Sequence, residues 1–227
     1  MSATQLLTVP DLYRGGQRVV QSFTLQLPVG TNVALAGLNG AGKTTLFHYL
    51  SGTLVGKSAP QQMGRVTHLA QEVPAADALS VSEFAGLLHG IDLADVDTRF
   101  DSIDLSPLAR RRMGTLSGGE RQLVCALLAL ATPSELILLD EPTTALDMSR
   151  RGQLLEVIRD RRGLSPSTTI LVASPVPSVL VETCTSLVTI QAGVVEDQGA
   201  LLGFLGADSI HSVSDAILAA KFLEVLE

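Results

Sequence analysis

Hydrophobic and polar positions along the chain fall into two alternating textures. Short apolar runs bounded by glycine, proline and small polar residues read as strands. Longer stretches with apolar residues every three or four positions read as helices. Thr4–Val9 and Val19–Leu27 are the first two strand-like runs, set around the turn Arg14-Gly15-Gly16-Gln17. Asn32–Ala36 reads as a buried strand that enters a glycine-rich loop, followed by a helix over Lys43–Leu50 and a short strand at Arg65–Ala70. A more polar, helix-leaning stretch covers Ser80–Met113, where Ser80 and Glu83 have capping-box spacing ahead of Phe84, Leu87 and Leu88. Helix, strand, helix and strand follow over Gly118–Ala131, Glu135–Asp140, Met148–Arg161 and Thr168–Ala173. The closing segment, Ser212–Leu226, predicts an amphipathic helix with Val213, Ala216, Ile217, Ala220 and Leu223 on one side. This alternation predicts an α/β fold with a largely parallel sheet covered on both faces.

Length and charge narrow the picture. The 227 residues make one large domain or two small ones, enough to bury about 70% of the unfolded surface without disulfide or metal staples. Charged residues are only 17%, against about 25% in ordinary globular chains. The 16 Lys+Arg and 23 Asp+Glu leave a net charge of −7. Disorder, a coiled coil and a basic nucleic-acid-binding tail are excluded, and no direct nucleic-acid partner is expected. The mean hydropathy of +0.33 raises the question of a membrane span, which needs about 20 apolar residues. The best candidate, Leu123–Leu139, is broken by Thr132, Pro133, Ser134 and Glu135. The first residues lack a basic region followed by an apolar core, so no signal peptide is expected. Cys125 and Cys184 form no CxxC pair and read as buried thiols in a reducing compartment. The expectation is a cytoplasmic protein with no span of its own.

Three motifs carry chemistry. Gly37-Leu38-Asn39-Gly40-Ala41-Gly42-Lys43-Thr44 fits GxxxxGK[ST] between a strand and a helix. Glycines there let successive backbone N–H groups turn toward an anion, and the helix adds its positive end. Lys43 is placed to hold the β- and γ-phosphates and Thr44 to ligate Mg²⁺. Leu136–Leu139 is an apolar run ending in Asp140 and Glu141; ligands bind beyond such strand ends. Asp140 is placed to hold Mg²⁺ through water, and Glu141 to polarise an attacking water. In Leu116-Ser117-Gly118-Gly119-Glu120-Arg121-Gln122, a serine and two glycines open a strong helix and make a second anion-binding end. One nucleotide does not need two such ends. The economical explanation is that Ser117–Gly119 serve the γ-phosphate of a nucleotide held by a second subunit.

Together these residues resemble the ATP-binding cassette (ABC) ATPases, the motor subunits of ABC transporters, from about Leu7 to Leu205. Gly37–Thr45 matches the Walker A loop, so Thr45 joins the nucleotide-binding set. Gln71 matches the Q-loop glutamine, which senses Mg²⁺ and contacts the membrane subunit. Leu116–Gln122 matches the signature motif, Leu136–Pro142 matches Walker B with Glu141 as its catalytic glutamate, and Ala145–Asp147 matches the D-loop. Tyr13 looks like the aromatic residue that stacks on adenine, although a plain core or surface tyrosine fits the same pattern. The resemblance implies a P-loop NTPase with a mostly parallel core sheet, an N-terminal antiparallel β subdomain and an inserted α-helical signature subdomain. Residues 1–71 and 132–210 would form the ATP-binding lobe, 72–131 the helical lobe and 211–227 a C-terminal helix of one domain. It further implies ATP and Mg²⁺ as ligands, head-to-tail pairing with a like or unlike second cassette, and a transmembrane permease as partner. That would put the protein on the inner face of the cell membrane.

Three departures from the family stand out. The family places a histidine after the strand that follows the D-loop, in a run like ILVTHD; here Ser174 occupies its place in Ile170–Pro175. A serine hydroxyl is shorter and carries no positive charge, so ATP binding is expected to persist while hydrolysis slows. Ser174 equally suits a cap on the following helix. Next, only 27 residues (44 to 70) separate Lys43 from Gln71, which leaves little room for extra antiparallel strands. Last, Leu123–Leu128 is apolar where relatives usually carry arginines, which predicts a more buried or more adhesive helix. Besides the transporter subunit, two other functions fit: a regulatory cassette that rarely hydrolyses ATP, and a soluble non-transport ABC ATPase. The latter usually carries two cassettes or long insertions, which this chain lacks.

Overall fold

A computed structural model of the chain describes residues 3–56, 64–69, 76–100, 103–161, 164–207 and 215–226. Four short strands come first: β1 (Thr4–Val9), β2 (Leu12–Arg14), β3 (Gln17–Val20) and β4 (Phe23–Pro28). β1 pairs antiparallel with β4, and β2 with β3 across the turn Gly15-Gly16, whose two residues both have positive φ. The single run expected over Val19–Leu27 is therefore two strands. Its break has a cause: the Gln21 N–H donates to the Gly193 carbonyl at 2.8 Å and the Ser22 N–H to the Asp11 carboxylate at 2.7 Å, outside any ladder.

The remaining elements are β5 (Asn32–Ala36), α1 (Lys43–Leu50), β6 (Val66–Leu69), α2 (Val81–Phe84), α3 (Leu93–Arg99), α4 (Gly118–Ala131), β7 (Leu136–Asp140) and α5 (Met148–Asp160), then β8 (Thr169–Ala173), α6 (Pro177–Thr183), β9 (Ser186–Gln191), β10 (Val194–Ala200), α7 (Leu201–Leu205) and α8 (Asp215–Leu226). The capping box at Ser80 and Glu83 is present, and α2 runs into a π-helical turn over Ala85–His89. Among the described residues no strand lies between α1 and β6.

Six strands form one sheet in the order β10-β9-β5-β8-β7-β6, parallel except for β10. β5, β7 and β8 are buried at all five positions each, as strands covered on both faces must be. Their alternation sorts the interior into two clusters. Val33, Leu35, Leu136, Leu138 and Leu171 face α1 and the N-terminal strands; Ala34, Ala36, Ile137, Leu139, Ile170 and Val172 face the helices. Leu123–Ala131 of α4 are all buried in the second cluster, so the arginine-free helix is a core helix. Cys125 and Cys184 are buried too, and burial pushes their thiols up to about 11 and about 12.

α8 differs from its expected face. Leu218 and Phe222 are buried, while Ala220 and Leu223 are exposed; Val213 lies outside the described residues. The helix is apolar on several sides, so its partners decide the face: Phe222 meets the ring of Phe204 edge-on, 5.8 Å between centroids.

Two polar side chains lock this frame. Asn32, buried at the start of β5, donates from Nδ2 to the carbonyls of Ile158 (2.7 Å) and Thr183 (2.8 Å), closing the ends of α5 and α6. Arg161, in left-handed backbone after α5, donates to the Asn32 Oδ1 and to the Thr168 carbonyl. His68 on β6 sits edge-on to Phe47 and His48, its Nε2 buried without a hydrogen-bond partner among the described residues. Burial first, and then the charge of His48, lowers its pKa from 6.5 to about 4.

Asn32→Leu leaves two buried carbonyls unpaired and should lower the urea unfolding free energy by about 2–4 kcal/mol. The unfolded chain protonates His68 near 6.5 while the folded chain resists until about 4. This contribution to stability is complete above pH 6.5 and falls away toward pH 4, by about 1–3 kcal/mol. Denaturation midpoints measured between pH 7.5 and 4.5 should therefore fall less steeply in His68→Phe than in the wild type.

Candidate functional site

The site is built where β5, β7 and β8 end side by side. The chain leaves β5, turns through Gly37–Gly42 and enters α1. Gly42 caps α1 with φ of 114°, and a Cβ there would lie 2.9 Å from the Val20 side chain and 3.0 Å from the Val19 carbonyl. Only glycine fits both the backbone and the space. Lys43 is buried, and its ammonium donates to the carbonyls of Gly37 (2.8 Å) and Leu38 (3.0 Å). Burial lowers its pKa, against the opposing charges of Asp140 and Glu141.

Thr44 donates from its hydroxyl to Asp140 at 2.9 Å, joining the first turn of α1 to the end of β7. Asp140 is buried and has no ion-pair partner among the described residues. Burial raises its pKa; the Thr44 hydrogen bond opposes this, Glu141 reinforces it, and Lys43 and His48 oppose it. A buried carboxylate, a hydroxyl on it and a second carboxylate next door fit a hard divalent cation that completes its shell with phosphate and water oxygens.

Glu141 has left-handed backbone, φ 49°, and its N–H donates to the Ala173 carbonyl at 2.9 Å. Thr144 donates to the Glu141 carboxylate at 3.0 Å, and Gln122 Nε2 donates to the carbonyls of Glu141 (3.3 Å) and Pro142 (3.1 Å). Gln122 ends the signature motif but had no role of its own in the sequence reading, and Thr144 was not singled out; their role depends on the turn after β7, which no periodicity reveals.

A cavity of about 640 Å³ lies over these groups. Asn39, Gly40, Gly42, Lys43, Thr44 and Thr45 line its floor, Glu141 and Pro175 one side, and Arg14, Gln17 and Val19 of the β2–β3 hairpin another. Tyr13 is not among the lining residues and stands half-exposed on β2. The two-residue turn explains this: it pairs Arg14 with Gln17 on one face and Tyr13 with Arg18 on the other. Gly37 and Leu38 line an adjoining apolar cavity of about 440 Å³, together with Ser174, Pro177, Leu180, Phe222 and Leu223; Ala41 closes the loop by donating its N–H to Leu38. Ser174 is buried there, its hydroxyl accepting from the Val176 N–H at 3.1 Å, and it does not reach the larger cavity. The N-cap of α6 is Val176, so Ser174 braces the approach to the helix and does not cap it. Gln71 lies outside the described residues.

Ser117, Gly118 and Gly119 take no part in lining that cavity. Ser117 caps α4 in a reciprocal box with Glu120, and Arg111 holds Glu120 at 2.8 Å. Gly119 packs so tightly that a Cβ would lie 2.8 Å from the Ala145 carbonyl. Asp147 caps α5 by accepting from the Arg150 N–H at 2.9 Å. The two glycine motifs are thus apart within one chain, while the signature and the D-loop segment touch.

Comparison with known proteins agrees with this geometry. The cobalamin import ATP-binding protein BtuD of Halobacterium salinarum is 28% identical over 232 residues, covering 92% of this chain and 58% of its own length. The zinc import ATP-binding protein ZnuC of Pseudomonas putida is 34% identical over 157 residues, covering 66% of this chain and 61% of its own. The chain thus spans about three fifths of the length of these curated relatives. A solved structure of the ATP binding subunit of an ABC transporter superposes over 97% of this chain and 100% of its own, with TM-score 0.74 and 22% identity. The ABC transporter family model matches residues 20–144, more than half of the sequence. The chain therefore belongs to the ABC transporter family and has the fold of its ATP-binding subunits.

Proposed function

We propose that this chain binds and hydrolyses ATP as the energy-supplying subunit of an ABC transporter. It pairs head to tail with a second cassette, of the same or another chain, and drives a separate permease at the inner face of the membrane. The observation that carries the reading is the Thr44–Asp140 hydrogen bond beneath the Lys43 loop, with Glu141 at its edge. No described helix is long and apolar enough to cross a membrane. The relatives' names refer to import, which supports uptake over export. The lobes assigned from the resemblance, 1–71 with 132–210 and 72–131, belong to this proposal, as does Gln71 as a Mg²⁺ and permease contact.

Lys43 exchanges the carbonyls of Gly37 and Leu38 for phosphate oxygens, and the loop N–H groups with the start of α1 hold the rest of the anion. Thr44 and Asp140 are the residues that would hold Mg²⁺, which when bound neutralises charge on the phosphates. Glu141, oriented by Thr144, accepts a proton from the attacking water. Ser117–Gly119 receive the γ-phosphate of the nucleotide on the opposite cassette, which accounts for a helix end that does not line the cavity over the Lys43 loop. Asp147 lies in the segment packed on that signature and couples the two.

A second reading, a weakly hydrolytic regulatory cassette, is favoured by Ser174. Its hydroxyl is committed to Val176 inside the apolar cavity, and Pro175 takes its place beside the phosphate site.

Calorimetric binding and phosphate release separate these roles. Lys43→Ala should weaken ATP binding about 10- to 100-fold, as expected for lost charge-assisted hydrogen bonds. Glu141→Gln should bind ATP normally and lose at least ~100-fold in kcat; unchanged turnover would remove Glu141 from the mechanism. Co-purification of a polytopic membrane protein from native membranes tests the permease. Ser174→His should raise kcat about 10- to 1000-fold with little change in KM. Equal rates would mean that this chain has an intact catalytic set without the histidine.

A further inference from the structure

The apolar cavity of about 440 Å³ adjoins the phosphate site and has the opposite chemistry. Leu38, Pro177, Leu180, Phe222 and Leu223 make its walls apolar, and no charged side chain lines it. Its volume lies in the range of cavities that take small organic ligands, which are mostly apolar with a few placed polar groups. One such group is buried here. Ser174 is only 5% exposed, and its hydroxyl accepts from the Val176 N–H, yet its own proton meets no acceptor among the described residues. A hydroxyl both donates and accepts, and a buried donor left unpaired is costly. The carbonyls of Gly37 and Leu38 cannot serve it freely, since both are taken by the Lys43 ammonium. Leu38 and Leu223 are exposed, so the cavity opens to solvent beside them.

We propose that this cavity is a second ligand site, for a small neutral molecule with an apolar ring or branched chain and one hydrogen-bond acceptor directed at Ser174. A charge would be stranded against the apolar walls, and a plain hydrocarbon would leave the Ser174 proton unpaired. Asn39 and Pro175 line both this cavity and the one over the Lys43 loop. The occupant therefore braces two residues that the nucleotide cavity also uses, and each ligand tightens the other by the same factor. The site stands on its own geometry; only this coupling rests on the nucleotide reading.

The test is a titration of the full chain with acetophenone, which has a ring and a carbonyl, with cumene, which lacks the acceptor, and with benzoate, which is charged. Leucine and valine methyl shifts report binding, and thermal melts confirm that each variant folds. Acetophenone should saturate with a Kd of about 0.1–1 mM, moving Leu38, Leu180 and Leu223. Cumene should bind about 3- to 10-fold more weakly, the size of one hydrogen bond, and benzoate should not saturate. Ser174→Ala should bring acetophenone to the cumene level and leave cumene unchanged. Leu223→Trp, a larger ring at the exposed rim, should weaken both at least ~10-fold. Saturating acetophenone should lower the Kd of ATP about 3- to 10-fold. No saturation by about 10 mM, equal binding of all the probes, or shifts that miss those leucines would overturn the site. Acetophenone binding that fades as protein concentration rises would mean that a second copy covers the cavity, and would overturn it too. Binding that leaves ATP affinity unmoved would overturn the coupling. A chain that takes acetophenone but no ATP would instead sink the nucleotide reading and leave the site standing.

Discussion

The ammonium of Lys43, held by the carbonyls of Gly37 and Leu38, is the contact around which the site is organised. Placing a lysine out of water is costly unless it is paired. Here the two carbonyls and the nearby charges of Asp140 and Glu141 offset that cost. In satisfying the cation, the chain is drawn into a tight return between β5 and α1, and the loop N–H groups are left on the open side. The same return sets Thr44 on Asp140. The loop's shape is thus set by the chain's own contacts, and Gly42 has neither the backbone conformation nor the space for a side chain.

Much of the fold is legible from local pattern. The bounds of β1, β5, α1 and α4 agree with the sequence reading to the residue, because each is framed by its own turn residues or cap. What remained hidden depends on contacts between distant segments. The break between β3 and β4 follows from bonds to Asp11, just before β2, and to Gly193, in the distant turn between β9 and β10. The buried face of α8 is chosen by Phe204, since its own apolar residues lie on more than one side.

The site divides along the same line. The loop, the acidic strand end and the signature were visible as contiguous motifs. The hairpin wall was not visible as motif, yet the turn Arg14-Gly15-Gly16-Gln17 already contained the answer: a two-residue turn fixes register, and register places Arg14 with Gln17 and Tyr13 with Arg18. Gln122 and Thr144 could not be assigned this way. They act on Glu141 through the turn after β7, which ties the start of the signature helix to the acidic strand end. With Gly119 against Ala145, any tilt of α4 reaches the carboxylate through touching atoms.

Glu141 itself stands where backbone geometry would prefer another residue. A left-handed conformation costs a side-chain-bearing L-residue about 1 kcal/mol or more, and glycine would relieve it. Stability alone would therefore let this position drift, and the carboxylate is what opposes the drift. Under the proposed function, Ser174 stands where a histidine would serve hydrolysis, while Glu141 holds its carboxylate at a standing cost in strain. That pattern fits an engine slowed to a set pace better than one dismantled.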